Sequence, residues 1–172
     1  MAAPTLSRRL STLLAAIRPS EPVWDIGCDH ARLGYAALEQ RRASEAVLVD
    51  KSPAVIASVQ AIVDAHVDDR LRERLTVTCA DAARLPAQPV TGTVVIAGMG
   101  AWAMIRILDG FVAPNGAPPL RLVLQPAVQP ERLRTWIGDS LFELVEELTV
   151  VEREREHHVM VAELRSSHRR DA

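Results

Sequence analysis

Apolar and polar positions follow two periods in this chain, and the two periods alternate from one end to the other. Over residues 5–18, Leu6, Leu10, Leu13, Leu14 and Ile17 recur at helical spacing and predict an amphipathic helix that Pro19 and Pro22 stop. Pro22 to Ile26 reads as a short strand ended by Gly27, and residues 31–41 as a helix with Leu33, Ala37 and Leu38 inward. Ala46 to Val49 is a second strand, and a helix follows from Pro53 to His66, with Pro53 suited to a first turn. Leu75 to Thr78 alternates as a third strand, and Val94 to Ala97 is a fourth, after the turn residues around Gly92. A helix from Ala101 to Leu108 precedes a Pro- and Gly-rich loop, 114–119, and a fifth strand, Leu120 to Leu124. Residues 130–140 are helical with Leu133, Trp136 and Ile137 on one face. Phe142 to Val151 and His158 to Leu164 are strands joined by a charged turn, Glu152 to Glu156, and such a pair is antiparallel.

Strand followed by helix, five times over, implies a parallel sheet with right-handed crossovers. The terminal hairpin makes seven strands with one antiparallel member. The expected fold is therefore α/β, doubly wound and Rossmann-like, with a seven-stranded mostly parallel sheet. It forms one domain over residues 1–165, followed by a polar tail, 166–172. The aromatic share is 3% while hydrophobic residues make up 48%, so the core must be aliphatic.

Charge and cysteine content narrow the function. The formal net charge is −2, which argues against a nucleic-acid grip spread over the whole surface. Local patches are confined to Arg8 with Arg9 and Arg169 with Arg170, both on tails where solvated charge is the ordinary reading. Two cysteines, Cys28 and Cys79, without a C-x-x-C pair exclude a disulfide scaffold or zinc ribbon as the organising feature. His157 and His158 are adjacent on a strand and point to opposite faces, so no metal is expected. No signal peptide or membrane span is expected, and the location that follows is cytoplasmic.

Ligands of open parallel sheets bind beyond the carboxyl ends of the strands, so each strand end is a candidate. The first ends in Asp25, Ile26, Gly27, Cys28, Asp29 and His30. Gly27 lets backbone approach a ligand, Asp25 can organise the loop or face a ligand amino group, and Asp29 can cap the next helix. The second ends at Asp50 and Lys51, about 20 residues past the glycine turn, where a carboxylate accepts from ribose hydroxyls. The third ends near Asp81 and Ala82; Asp81 can accept from an adenine amino group or serve as an N-cap. The fourth ends in Ala97, Gly98, Met99 and Gly100, open backbone beside which a flat base fits. A G-x-G-x-x-G cradle is missing, which suits S-adenosylmethionine (SAM), a nucleoside cofactor without phosphate.

These segments carry a family resemblance. Asp25-Ile26-Gly27-Cys28-Asp29-His30-Ala31, Ile96-Ala97-Gly98-Met99-Gly100, Leu124-Gln125-Pro126 and Glu146-Glu147 through Val159-Met160-Val161-Ala162-Glu163 resemble, in order, the TrmK-type tRNA (adenine(22)-N1)-methyltransferases. Leu6-Ser7-Arg8-Arg9-Leu10 looks like that family's start. The resemblance runs from about residue 6 to 164. It implies a class I SAM-dependent methyltransferase fold, SAM as cofactor and tRNA as partner. Carried over residue by residue, it puts Asp25, Gly27, Cys28, Asp50, Lys51, Asp81, Ala82, Ala97, Gly98 and Met99 on the cofactor side. Asp29 and His30 are the catalytic candidates, and Arg8, Gly100, Gln125 and Pro126 the substrate-side ones, joined there by Arg32 and Trp102, which the family pattern does not supply. The chain differs from the family at Arg32, where an aromatic is usual, at Ala127, where Asn is usual, and at Ala101 with Trp102, where a second glycine is common. Family members also continue into a C-terminal helical domain that this chain, ending at Ala172, is expected to lack.

In the adenine-N1 mechanism, Asp29 is the candidate to stabilise charge developing on the adenine ring, His30 contacts the substrate or is structural, Arg32 touches a phosphate or is a solvated helix residue, and Trp102 stacks on a base or packs in the core. Other readings stay open. One keeps SAM with a small-molecule or different RNA acceptor. Another is a catalytically silent SAM-binding module. A NAD-dependent oxidoreductase fits Asp50 alone and is opposed by the missing glycine fingerprint. Oligomeric state is not legible.

Overall fold

The structure is a computed structural model that describes residues 6–85, 90–111 and 121–165. Seven strands form one sheet: β1 (Glu21–Ile26), β2 (Ala43–Asp50), β3 (Leu75–Cys79), β4 (Thr93–Ala97), β5 (Arg121–Gln125), β6 (Phe142–Glu152) and β7 (Arg155–Leu164). Their order is β3-β2-β1-β4-β5-β7-β6. β1 to β5 pair in parallel, and β7 runs antiparallel to both β5 and β6. This is the expected fold. The helices are α1 (Arg8–Ala16), α2 (Arg32–Glu39), α3 (Pro53–His66), α4 (Asp69–Arg72), α5 (Ala101–Phe111) and α6 (Pro130–Asp139).

The continuous apolar runs of the central strands are explained by burial on both faces. Val94 and Ile96 of β4, with Leu122 and Leu124 of β5, pack with Met104 and Leu108 of α5 and with Leu133 and Ile137 of α6. The intervening Val95 and Val123 point the other way, into Leu13 and Ile17 of the α1 segment and Leu33 and Ala37 of α2. Each such side chain removed from water contributes roughly 1.5–3 kcal/mol. α3 adds Val59 and Val63 against Leu48 and Cys28.

One polar contact sits inside this packing. Asp25 of β1 is only 7% exposed, and its Oδ2 accepts from the Gly34 N–H of α2 at 3.1 Å. A Cβ on Gly34 would collide with the Leu48 side chain, so glycine lets α2 settle this low on the sheet. Burial pushes the Asp25 carboxyl up to about 6, against the lowering effect of the Gly34 N–H.

Three local expectations change. Asp29 does not cap α2: the cap position is Ala31, in a left-handed conformation without a side-chain bond, and the strand residue Asp25 supplies the acceptor instead. The third crossover contains a 3-10 turn, Ala82–Arg84, in place of an expected helix, and the single-turn α4 before β3 is too short to leave a periodic signal. The charged turn shrinks to Arg153 and Glu154, both at positive φ, because the ladder continues to the Glu152–Arg155 pair; two left-handed residues match the twist of the hairpin. The loop 114–119, Leu120 and the tail 166–172 lie outside the described residues.

Gly110 of α5 lies against the backbone of the 3-10 turn, where a Cβ would sit 2.7 Å from the Ala83 carbonyl oxygen. Gly110→Ala should lower the melting temperature by several degrees, because about 1–3 kcal/mol of overpacking outweighs the roughly 1 kcal/mol gain in helix propensity. An unchanged or raised melting point would refute the close approach. Asp25 binds its proton more tightly folded than unfolded, so stability falls as pH rises from about 4 to about 6 and is flat above. Asp25→Asn removes that slope, which amounts to about 3 kcal/mol at most. Denaturant titrations of both proteins across pH 4–7 check this, and parallel profiles would show that Asp25 titrates normally.

Candidate functional site

The chain steps outward from β1 through β2 to β3, then returns to place β4 on the other side of β1. This reversal parts the loops after β1 and β4 and creates a crevice at the carboxyl ends of the strands. A cleft lies there. Its polar wall contains Asp50, Lys51, Asp81 and Arg106, and its apolar wall contains Ile26, Val49, Ala80, Ala82, Met99, Ala103 and Ile107, with Gly27 between them.

The β1 loop shapes the entrance. The Gly27 N–H donates to the Val49 carbonyl at 2.7 Å, which carries the parallel pairing one residue past the strand. Gly27 has φ +73°, and a Cβ there would collide with Met99 Cε. Glycine is therefore required twice over, by conformation and by space. Asp29 and Ala31 also take positive φ, which turns the loop sharply into α2. Both Asp29 and His30 are exposed, with Nε2 of His30 3.5 Å from Oδ2 of Asp29. Cys28 faces inward; burial, followed by the charges of Asp25 and Asp50, pushes its thiol up to about 12, so it stays neutral and unreactive.

The carboxylates of the cleft have separate duties. Asp50 Oδ1 accepts from the Ser52 N–H at 2.8 Å, and among the described residues Oδ2 has no partner. Asp81 accepts from the Ala83 N–H at 3.2 Å as the cap of the 3-10 turn. It also receives both guanidinium nitrogens of Arg106, at 3.0 and 3.3 Å. Those Arg106 bonds, with the Ala83 N–H, hold its carboxyl below the usual range. Of the two functions foreseen for Asp81, capping is the one in place.

The opposite rim is built from the β4 and β5 ends. The Gly98 N–H donates to the Gln125 carbonyl, Ala127 N–H to Met99, and Ala101 N–H to Val128, so the two loops are zipped together. Gln125 is 1% exposed; its Nε2 donates to the Pro126 carbonyl and its Oε1 accepts from Arg9 at 2.8 Å. Gln125 is thus a buried brace of the rim. Pro126 is also buried, while Trp102 is 61% exposed and not in the core.

Of the cofactor-side residues expected from sequence, Gly27, Asp50, Lys51, Asp81, Ala82 and Met99 line the cleft, whereas Asp25, Cys28, Ala97 and Gly98 support it from outside the lining. On the substrate side, Gly100, Trp102, Gln125 and Pro126 share one rim. Arg32 is exposed at the start of α2, and Arg8 faces a groove between α1 and β6 with Thr12 and Leu148. Its neighbour Arg9 reaches Gln125 instead. Arg9, expected with Arg8 as solvated charge on a tail, stands on α1 and is spoken for by Gln125, and Arg106 was not among the expected site residues. The available signal for Arg106 was weak: it is the lone cation of a largely apolar helix. Among the described residues, no cluster of potential metal ligands occurs.

The methyltransferase domain family profile matches residues 6–160. The Bacillus subtilis tRNA (adenine(22)-N(1))-methyltransferase is 28% identical over 159 residues, covering 92% of this chain and 65% of its own length. The chain thus spans slightly less than two thirds of that relative. The crystal structure of the B. subtilis M1A22 tRNA methyltransferase TrmK superposes with a TM-score of 0.81 at 27% identity, over 93% of this chain and 67% of that one. Streptococcus pneumoniae Sp1610 in complex with S-adenosyl-L-methionine gives 0.82 at 26% identity, over 93% and 73%. The chain belongs to the methyltransferase domain family and is a homologue of the TrmK-type enzymes whose motifs it carries.

Proposed function

We propose that this chain binds SAM in the β1–β4 cleft and directs methyl transfer to N1 of an adenine in tRNA. The observation that carries the reading is where the motifs converge. The Gly27 loop, Asp50, Asp81 and the Gly98-Met99-Gly100 loop lie far apart in sequence and surround one crevice, as they would in a TrmK-type enzyme.

The residues present fit the cofactor. Ile26, Val49, Ala82 and Ile107 offer apolar surface to a purine, and Asp50 has an unpartnered oxygen for hydroxyl groups. Arg106 is neutralised by Asp81, leaving Lys51 as the one unpaired cation among the cleft residues. Such a site suits a nucleoside without phosphate. When bound, SAM supplies a methyl group already activated on a sulfonium, so the protein's task is alignment. The Gly27 and Gly98–Gly100 loops hold the two sides of the crevice, and Asp25 fixes the first through α2. Adenine N1 lies on the pairing edge, so the base must leave its stack to be reached. The N1 lone pair would take the methyl group as its carbon–sulfur bond breaks and the electron pair leaves with sulfur, so the positive charge would pass to the ring, where the exposed Asp29 carboxylate is placed to stabilise it. His30 beside it contacts the acceptor. No helix among the described residues is long and apolar enough to cross a membrane, and cytoplasmic tRNA is the partner this reading requires.

One observation favours a second reading, methyl transfer to a small molecule or another RNA site: the formal net charge is −2 rather than positive.

Labelled SAM mixed with the protein and unmodified tRNA transcripts, with and without adenine at position 22, decides between them. Label should enter only the adenine-bearing transcript, as N1-methyladenosine. Asp29→Asn should then lower kcat by up to about 100-fold at unchanged SAM affinity; full turnover would remove Asp29 from the mechanism. An unlabelled transcript with SAM binding intact by calorimetry would favour the second reading.

A further inference from the structure

Three tryptophans divide the scarce aromatic surface of this protein, and two of them are accounted for by packing. Trp24 packs against the main core. Trp136 donates from Nε1 to Asp109 at 2.8 Å and stacks on Phe142 with ring centroids 6.2 Å apart. Trp102 is different. It is the second residue of α5, it is 61% exposed, and among the described residues its indole N–H has no partner.

Trp102 nevertheless has one ordered neighbour. The Arg132 guanidinium, from the first turn of α6, lies over the ring with Cζ 4.6 Å from the centroid. A cation in that position covers one face of the indole. With more than half of the residue still exposed, the uncovered area lies on the other face and the edges. Arg132 takes part in no ion pair with a carboxylate among the described residues, so its charge is not spent inside the protein.

Position completes the case. Trp102 follows directly on Gly100 and Ala101, which are held to Val128 at the acceptor rim. Val128 is itself 58% exposed. One turn further along α5, Arg106 lines the cleft, and residues four apart share a helix face. The open ring therefore stands at the mouth of the crevice on the helix that forms part of its wall. An open aromatic face beside an unspent cation matches the two halves of a nucleotide, a base to stack and a phosphate to pair.

The geometry points to Trp102, backed by Arg132, as the platform on which an unpaired nucleobase of the acceptor RNA stacks as it enters the site. This inference rests on the RNA reading above and adds the residues that grip the acceptor. Trp102 is a binding residue, while Arg132 orients the indole and meets the backbone phosphate.

The test uses the full chain with an unmodified tRNA transcript and three variants, Trp102→Ala, Trp102→Phe and Arg132→Gln. Base stacking of ordinary strength predicts that Trp102→Ala weakens transcript binding by about 10- to 100-fold and raises KM for tRNA accordingly. Trp102→Phe should recover most of the loss, Arg132→Gln should reproduce part of it, and SAM affinity by calorimetry should not move. Transcript should quench tryptophan fluorescence in the wild type, with that quench lost in Trp102→Phe. If the wild type methylates the transcript and Trp102→Ala binds it equally well, the platform is refuted and the RNA reading stands. If the wild type binds SAM but no transcript, both fail together. Loss of self-association in Trp102→Ala at unchanged transcript affinity would overturn the platform in favour of a protein contact.

Discussion

The buried hydrogen bond from the Gly34 N–H to Asp25 is the constraint on which the site depends. An acidic side chain in the middle strand of a parallel sheet has few ways to be satisfied, since both faces are packed with aliphatic groups. Here it takes an N–H from the first turn of α2, where the helix leaves its own amides without partners. The bond fixes α2 against β1 and so fixes both ends of the loop between them. Gly27, Asp29 and His30 are all on that loop. Leaving a buried polar group without its partner costs about 1–3 kcal/mol, enough to keep the loop in one conformation. The price is a carboxyl held at about 6, nearer neutrality than an aspartate in water.

The two sides of the crevice are built by different means. On the side proposed for the cofactor, backbone and carboxylates shape the wall: Gly27 admits close approach, Asp50 keeps an oxygen open, and Asp81 ties the third strand end to α5 through Arg106. On the side proposed for the acceptor, loops are braced from behind. Arg9 comes from α1 to bond Gln125, and Gln125 bonds the Pro126 carbonyl next to the zipped loops. The N-terminal helix thus reinforces the rim although it contributes no strand end. The exposed groups of the entrance, Asp29 and His30 on the β1 loop and Trp102 on the β4–β5 rim, rest on a framework with little freedom.

Much of this was legible in the chain. Seven strands, the parallel core and the antiparallel hairpin followed from periodicity, because a sheet buried on both faces demands apolar runs such as Val94 to Ile96 and Leu122 to Leu124. The strand-end residues followed from the rule that parallel sheets bind ligands at their carboxyl ends, and six of them line the cleft. Short elements escaped, since α4 and the 3-10 turn are held by caps and not by an amphipathic face. The hairpin turn was overestimated because Arg153 and Glu154 carry none of the usual signals for positive φ.

Sequence alone determined the architecture, the placement of the acidic residues at successive strand ends and the family, all of which depend on local pattern and order along the chain. Tertiary structure decided which side chains are free to act. It turned Asp25 into an anchor, paired Asp81 with Arg106, buried Gln125 behind Arg9 and left Trp102 open beside Arg132. Those outcomes rest on contacts between residues up to 116 positions apart. Such contacts form only when the sheet brings distant strand ends together, and no local periodicity encodes them.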